Sequence, residues 1–240
     1  MMKNLFFLFS VGLVITTMSC SKDKKRFIED NRKDILNAFA DEDSVEADGK
    51  SFITIRAKIS KDADKKTVKF STNKGRLIDS SLTYTTDAAM ENDVLIAKAF
   101  LTPGLEAAEN VIVNVSVPEV SERIGVRFVN AFPDAVQIES TVATVQNTIG
   151  ATVPLNIYLI RKTGIPSLHQ KVRFRVLKQD GSEMMGDLRG IDPAGSNDKG
   201  LITATYILED STYSGKLKII SIADGKQQQV YDTVTIFITK

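Results

Sequence analysis

The chain has 240 residues, 42% of them hydrophobic, and its 31 basic and 30 acidic residues leave a formal net charge of +1. This neutral balance provides no electrostatic footprint for nucleic acid or for an anionic membrane surface, so we predict no nucleic-acid partner. With Cys20 as its one cysteine, the chain cannot form an intrachain disulfide, and apolar burial must hold the fold.

The N-terminal segment is predicted to be an export leader. An apolar stretch, Leu5–Thr17, ends shortly before Cys20. It is shorter than the roughly 20 residues that a bilayer-crossing helix needs, which favours a cleaved or lipid-modified leader. The residues before Cys20 resemble a bacterial lipobox, although Thr17 stands where that pattern usually has an aliphatic residue. We predict a lipoprotein signal peptide over 1–19, lipidation of Cys20 and a tether over 20–34; the alternative is a free cysteine after an ordinary secretory leader.

Three short segments recur in the same order along the chain. The pairs are Leu36–Asp41 with Val129–Asp134, Lys66–Phe70 with Gln170–Phe174, and Ala97–Ala99 with Thr203–Thr205. Matches in one order at a nearly constant offset indicate a duplicated unit. We therefore predict two tandem domains, 35–127 and 128–240.

Within each copy, apolar residues alternate with polar ones, which is the pattern of strands with one buried face. The clearest runs are Ile53–Ile59, Val111–Val117, Leu155–Leu159, Val172–Val176 and Val234–Ile238. Turn signals such as Asp48-Gly49 and Asp224-Gly225 separate the runs. Short strands at this spacing predict an all-β fold made of two antiparallel β-sandwiches.

One segment fits two structures. Ile28, Ile35 and Phe39 fall at helical spacing, which is compatible with an amphipathic helix. The repeat favours a strand for the second half, because the equivalent segment contains Pro133, which discourages a helix. We predict a first strand over Ile35–Phe39 and a charged tether over 21–34.

Several of these segments together resemble a known family. Ala47–Ile55 and Thr67–Gly75 in the first copy, with Val172–Phe174 and Asn197–Thr205 in the second, are similar to bacterial Ig-like domains of the invasin and intimin type (group 1). The first copy departs from that pattern at Ala88–Asn92. The resemblance implies tandem immunoglobulin-like sandwiches and a role in cell-surface adhesion or display; its motifs mark strands and turns, so it implies no catalytic residues.

The sequence offers little for catalysis or metal binding. His169 is the one histidine, which excludes a histidine metal cluster, and no hydrolase, phosphate-loop or zinc-protease motif is present. Acidic residues gather at Asp41–Asp48, but their spacing does not match a dedicated calcium loop. A solvated charged surface is the simpler interpretation. We predict no enzyme, no cofactor and no metal.

A sugar-binding site needs exposed aromatic rings, and the chain has no tryptophan. Tyr158 and Tyr206 are the candidate ligand-binding residues, because both are expected opposite the buried face of their strands. Core filling or cross-strand pairing explains both residues equally well.

These observations predict a lipid-anchored protein of the bacterial outer membrane that serves as a non-enzymatic adhesion, binding or spacer module. Its partners would be the membrane, through the lipid, and envelope proteins or surface glycans. Two alternatives stay open: a periplasm-facing subunit of an envelope assembly that holds its partners by strand-edge pairing, and a carbohydrate-binding surface lipoprotein.

Overall fold

A computed structural model describes residues 35–61, 63, 65–118, 120–184 and 186–240. The predicted signal peptide, the tether and Cys20 lie outside the described residues. Within the described part of the chain, no helix is long and apolar enough to cross a membrane. The all-β prediction is confirmed, because the described chain folds into two β-sandwiches in tandem.

In the residues that the structure describes, the first sandwich contains nine strands in two sheets. In chain order these are β1 Leu36–Ala40, β2 Ser44–Glu46, β3 Ile53–Ile59, β4 Thr67–Thr72, β5 Thr83–Asp87, β6 Ala89–Glu91, β7 Val94–Leu101, β8 Ala108–Ser116 and β9 Ser121–Val129. One sheet has the order β1-β3-β7-β6 and the other β2-β9-β8-β4-β5. A 3-10 turn, Ile78–Ser80, precedes β5.

The described part of the second sandwich repeats this plan with eight strands. They are β10 Ala135–Ser140, β11 Thr144–Gln146, β12 Thr152–Ile160, β13 Val172–Leu177, β14 Gly186–Arg189, β15 Leu201–Leu208, β16 Gly215–Asp224 and β17 Gln229–Thr239. The sheets have the orders β10-β12-β15-β14 and β11-β17-β16-β13. In both copies a short strand pairs in parallel with the last strand, β2 with β9 and β11 with β17, and the other pairings are antiparallel.

Each sandwich encloses its own apolar core, as the alternation of apolar and polar residues predicts. Phe70 is the largest fully buried side chain of the first core and Tyr206 that of the second. The Tyr206 ring lies against Gly186 of the neighbouring strand β14, where a Cβ atom would approach the ring to 2.2 Å. A glycine at 186 therefore makes the space that the ring fills.

The first anchor of the repeat does not align equivalent strands, and the structure corrects it. Leu36 begins β1 and pairs with Ile59, whereas the equivalent start of β10 is Ala135, which pairs with Ile160. Val129, the proposed partner of Leu36, is the last residue of β9. The other two anchors do align equivalent strands, β4 with β13 and β7 with β15.

The first strand is confirmed as a strand, at Leu36–Ala40, and the division of the chain at 127/128 stays a prediction. In the structure, β9 ends at Val129 and β10 begins at Ala135, so residues 130–134 connect the two sandwiches.

The strand directions place the two sandwiches in series. Leu36 pairs with Ile59, at the end of β3 that lies away from the second sandwich. The chain leaves the first sandwich at the opposite end, after Val129, and its last strand ends at Thr239, away from the junction. Leu36 and Thr239 thus lie at opposite ends of the pair.

Candidate functional site

The junction between the sandwiches is the best-defined polar site in the described structure. It is built from the end of β2 and the turn after it, residues 46–51, and from residues 161–168 that follow β12. Sequence reasoning identified Asp48-Gly49 only as a turn, and the acidic cluster Asp41–Asp48 only as a solvated surface.

Asp48 organises the first side of the junction and is 1% exposed. Its carboxylate accepts hydrogen bonds from the amides of Lys50 and Ser51, at 2.8 and 2.6 Å, and from the Ser51 hydroxyl at 2.7 Å. Burial pushes the Asp48 pKa up, but the Ser51 and Lys50 hydrogen bonds and the nearby Arg161 outweigh it and bring the pKa below its ordinary value. The carboxylate is therefore ionised and fixed.

Backbone contacts tie the two sandwiches to each other. The Ile165 amide donates to the Asp48 carbonyl at 3.0 Å, and the Leu168 amide donates to the Leu105 carbonyl at 2.8 Å. Gly164 has a positive φ of +66°, and an added Cβ would lie 2.4 Å from the Asp48 carbonyl oxygen. Close approach of the two chains thus requires glycine at position 164.

Ser167 connects three chain segments and is 1% exposed. Its hydroxyl donates to the Ala47 carbonyl at 2.9 Å and accepts from the Ala131 amide at 2.9 Å, and its own amide donates to the Ala131 carbonyl at 2.9 Å. Each hydrogen-bonding group of this residue has a partner, so the connecting segment is fastened to both sandwiches.

Charged side chains close the junction. Arg161, whose side chain is 8% exposed, donates to Glu46 at 2.6 Å and to the Phe132 carbonyl at 2.6 Å. Lys226, from the turn between β16 and β17, reaches the other Glu46 oxygen at 2.8 Å. The Lys226 hydrogen bond and those of Arg161 outweigh burial and lower the Glu46 pKa below its ordinary value. These groups neutralise one another, so the arrangement can hold two domains in place and offers no free acid–base pair.

The acidic cluster divides among separate partners. Asp41 forms a fork-like pair with Arg56, at 2.7 and 2.9 Å, which lowers the Asp41 pKa, whereas Glu46 and Asp48 face the junction. Across the described residues, no group of three or more His, Cys, Asp and Glu side chains is arranged to hold a metal ion. His169 is exposed, has a φ of +67°, and its Nδ1 lies 3.0 Å from the Ala194 carbonyl.

The prediction that Tyr206 lies exposed is wrong, because this residue is fully buried. The buried face of β15 runs through Ile202, Ala204, Tyr206 and Leu208, one residue out of phase with our expectation. Burial raises the Tyr206 pKa to about 12. Tyr158 is half-buried on β12, between Gln137 and Leu201 of the neighbouring strands, and a ligand-binding role for it stays a prediction.

Sequence reasoning missed an exposed aromatic patch on the first sandwich, defined by Phe52 and Phe100. Phe52 and Phe100 meet edge to face, with ring centroids 5.1 Å apart, and are 59% and 41% exposed. Phe100 stands between the buried Ala99 and Leu101 of β7, so its position out of phase with the buried residues is the signal that identifies it. Such rings offer contact area to an apolar or sugar ligand.

No family model and no curated protein matches the chain. Among solved structures, the Yersinia pseudotuberculosis adhesin InvE aligns over 85% of this chain and 59% of its own, with 12% identity and a TM-score of 0.50. Invasin, a bacterial integrin-binding protein, aligns over 85% of this chain and 39% of its own, with 19% identity and a TM-score of 0.57. The chain thus spans 39% to 59% of the length of these two structures. At such identities the likeness shows the fold alone, and it confirms the predicted tandem of Ig-like sandwiches.

Proposed function

We propose that the chain is a lipid-anchored cell-envelope protein whose two sandwiches serve as a non-enzymatic adhesion, binding or spacer module. The observation that carries this proposal is the junction, where Asp48, Ser167 and Arg161 join the sandwiches through short hydrogen bonds. A junction whose buried polar groups are hydrogen-bonded to one another favours one fixed orientation over free rotation, because a satisfied polar network is rigid. The proposed role is similar to that of the adhesins that share the fold, but we assign none of their ligands to this chain, because a shared fold does not imply a shared ligand.

The arrangement in series supports a display role. A lipid on Cys20, followed by the tether 20–34, would join the first sandwich at the end that lies away from the junction. The second sandwich would then be held farthest from the membrane, where its sheet faces are accessible. We place this protein in the outer membrane, with its contacts supplied by sheet faces and loops.

The anchor is tested by replacing Cys20 with alanine. We expect the C20A chain to lose labelled fatty acid and to move from the membrane fraction to the soluble fraction. Its unfolding transition should stay unchanged, because residue 20 precedes both sandwiches. If the variant still incorporates fatty acid and sediments with membranes, the lipoprotein proposal is wrong.

Protease treatment of intact cells tests the adhesive role separately. A surface-displayed chain is digested while the outer membrane is intact. If digestion requires breaching that membrane, the periplasm-facing alternative replaces the adhesion proposal.

The exposed Phe52–Phe100 pair favours glycans as a second class of ligand. A glycan array probed with the wild type and with the F52A/F100A variant would test this role. If both proteins bind the same glycans equally, this patch is not the glycan-binding site.

A further inference from the structure

The outer face of the sheet β11-β17-β16-β13 in the second sandwich has an unusual composition for an exposed surface. Strand register aligns its side chains in rows across three strands. Arg173, Ile222 and Tyr231 form the row nearest the junction, and Arg175, Ile220 and Thr233 form the next. Lys216 and Phe237 pair at the far end. We call this surface the basic-aromatic face.

Apolar side chains lie open to solvent along the basic-aromatic face. Tyr231 is 71% exposed at its junction end and Phe237 is 46% exposed at its far end, while Ile220 and Ile222 lie half-buried on the neighbouring strand β16. Aromatic and β-branched side chains that are exposed on a sheet are unfavourable in water. A partner that covers them removes this apolar area from water and so stabilises the complex. This composition matches the centre of protein interfaces, where Tyr, Phe and Arg are enriched.

Cations lie on the same face, beside these apolar side chains. Arg173, Arg175, Lys216 and Lys218 all lie on exposed positions of β13 and β16. Two carboxylates accompany these four cations, Asp224 at 2.7 Å from Arg173 and Glu183 at 3.4 Å from Arg175. All four side chains of these two pairs are more than half exposed, so the pairs are weak and can exchange for a partner's carboxylates. The face therefore keeps an excess of positive charge on a chain that is otherwise close to neutral.

The equivalent face of the first sandwich, on β4, β8 and β9, is different. It carries Lys69, Arg123 and Arg127, but the positions between them hold one aliphatic side chain, Ile112, and no aromatic ring, and the others there are Asn114, Ser116 and Gly125. Positive charge is thus common to both faces, whereas exposed aromatic rings belong to the second. That difference distinguishes a built docking surface from a merely charged one.

We propose that the basic-aromatic face docks an acidic protein partner, whose carboxylates pair with Arg175, Lys216 and Lys218 and whose apolar side chains cover Tyr231 and Phe237. Charge complementarity selects this occupant, because a second copy docked face to face would bring cations against cations. The proposal deepens the binding role proposed above by naming its surface and its class of partner. Its test does not depend on the lipid anchor or on the membrane side, so the two proposals fail separately.

The test uses the purified full chain and two synthetic polyanions, a random copolymer of glutamate and tyrosine and pure poly-glutamate. Charge reversal by Arg175→Glu, Lys216→Glu and Lys218→Glu should weaken copolymer binding by about tenfold or more, since each exposed contact contributes modestly. The matched control, Lys69→Glu, Arg123→Glu and Arg127→Glu, makes the same change of charge on the first sandwich and should leave binding within about twofold.

A second variant separates the aromatic contribution from charge. Tyr231→Ser with Phe237→Ser should weaken binding of the copolymer by about tenfold and leave poly-glutamate binding nearly unchanged, because only the copolymer offers rings to cover. Unchanged unfolding midpoints would show that each variant is folded. Three results would overturn the proposal. The two charge-reversal triples could weaken copolymer binding equally, or the aromatic variant could leave copolymer binding unchanged. The third is displacement of the copolymer by dextran sulfate or by phosphatidylglycerol vesicles at equal charge.

Discussion

The two sandwiches follow one strand plan but differ in the sheet that holds their last strand. In the first, β5 pairs with β4 and extends that sheet to five strands, whereas in the second β13 is the edge of a four-stranded sheet. The exposed aromatic rings also lie on opposite sheets: Phe100 on β7 of the first sandwich, Tyr231 and Phe237 on β17 of the second. The two sandwiches thus share the strand pattern of their buried faces, while their outer faces differ. Outer faces are where binding differences between the copies should be sought.

The largest expected loss of stability comes from truncating the central aromatic side chain of either core, and it should be confined to the sandwich that contains that core. Tyr206→Ala should destabilise the second sandwich by about 3 to 5 kcal/mol, the range for truncating a buried aromatic side chain, and Phe70→Ala should do the same to the first. Hydrogen exchange measured by mass spectrometry would locate each loss. If either variant increases exchange equally in both sandwiches, the pair unfolds as one unit and the comparison between two separate cores fails.

The next effect concerns the junction. Gly164→Ala should cost more than the roughly 1 to 2 kcal/mol of a left-handed backbone conformation, because its Cβ would also collide with the Asp48 carbonyl. Gly150→Ala is the matched control, since Gly150 has a φ of +87° with nothing within 4 Å of an added Cβ. Small-angle scattering should show a broader range of interdomain distances for the first variant alone. Equal profiles for the two variants would contradict a tight junction.

A smaller loss is expected at the ion pairs. Arg161→Ala removes the nearly buried guanidinium that donates to Glu46 and to the Phe132 carbonyl. This loss should lower the free energy of unfolding by about 1.5 to 3 kcal/mol. The control, Arg173→Ala, breaks a pair whose side chains are 61% and 68% exposed and should cost less than about 1 kcal/mol. Urea unfolding midpoints would rank the two variants. The reverse order would show that the junction pair is no stronger than a surface pair.

The smallest effect is the pH dependence of the junction. Folding lowers the pKa of Glu46 below 4.5 and that of Asp48 below 3.8, so both carboxylates stabilise the folded state above these ordinary values. That stabilisation is lost as the pH falls through the folded-state pKa values. Urea unfolding at about pH 7 and about pH 3.5 should show a smaller acid loss for Glu46→Gln than for wild type. Glu139→Gln, on the exposed side of β10, should behave as wild type does.

Much of the fold was predictable because burial repeats with a period of two along each strand. The runs at Ile53–Ile59 and Val172–Val176 appear as β3 and β13. The phase of β15 was not predictable, because Leu201 and Ile202 begin the strand with apolar residues on both faces, which hid the fact that Tyr206 points inward. The junction was equally hidden, since the pairing of Glu46 with Arg161 joins residues 115 positions apart. Such contacts depend on how the two sandwiches pack against each other, and the residue pattern along a single strand or turn does not reveal that packing.

The parallel pairing of β2 with β9 has a mechanical consequence. The Arg127 amide bonds the Asp43 carbonyl at 3.0 Å and the Ala47 amide bonds the Val129 carbonyl at 2.8 Å, so two short segments lie side by side, running the same way. A pull between an N-terminal tether and the second sandwich would drag them in opposite directions along their length. The load would then fall on these hydrogen bonds together, in shear, whereas an antiparallel hairpin pulled from its open end would lose them one at a time. The second sandwich repeats the geometry in β11 and β17.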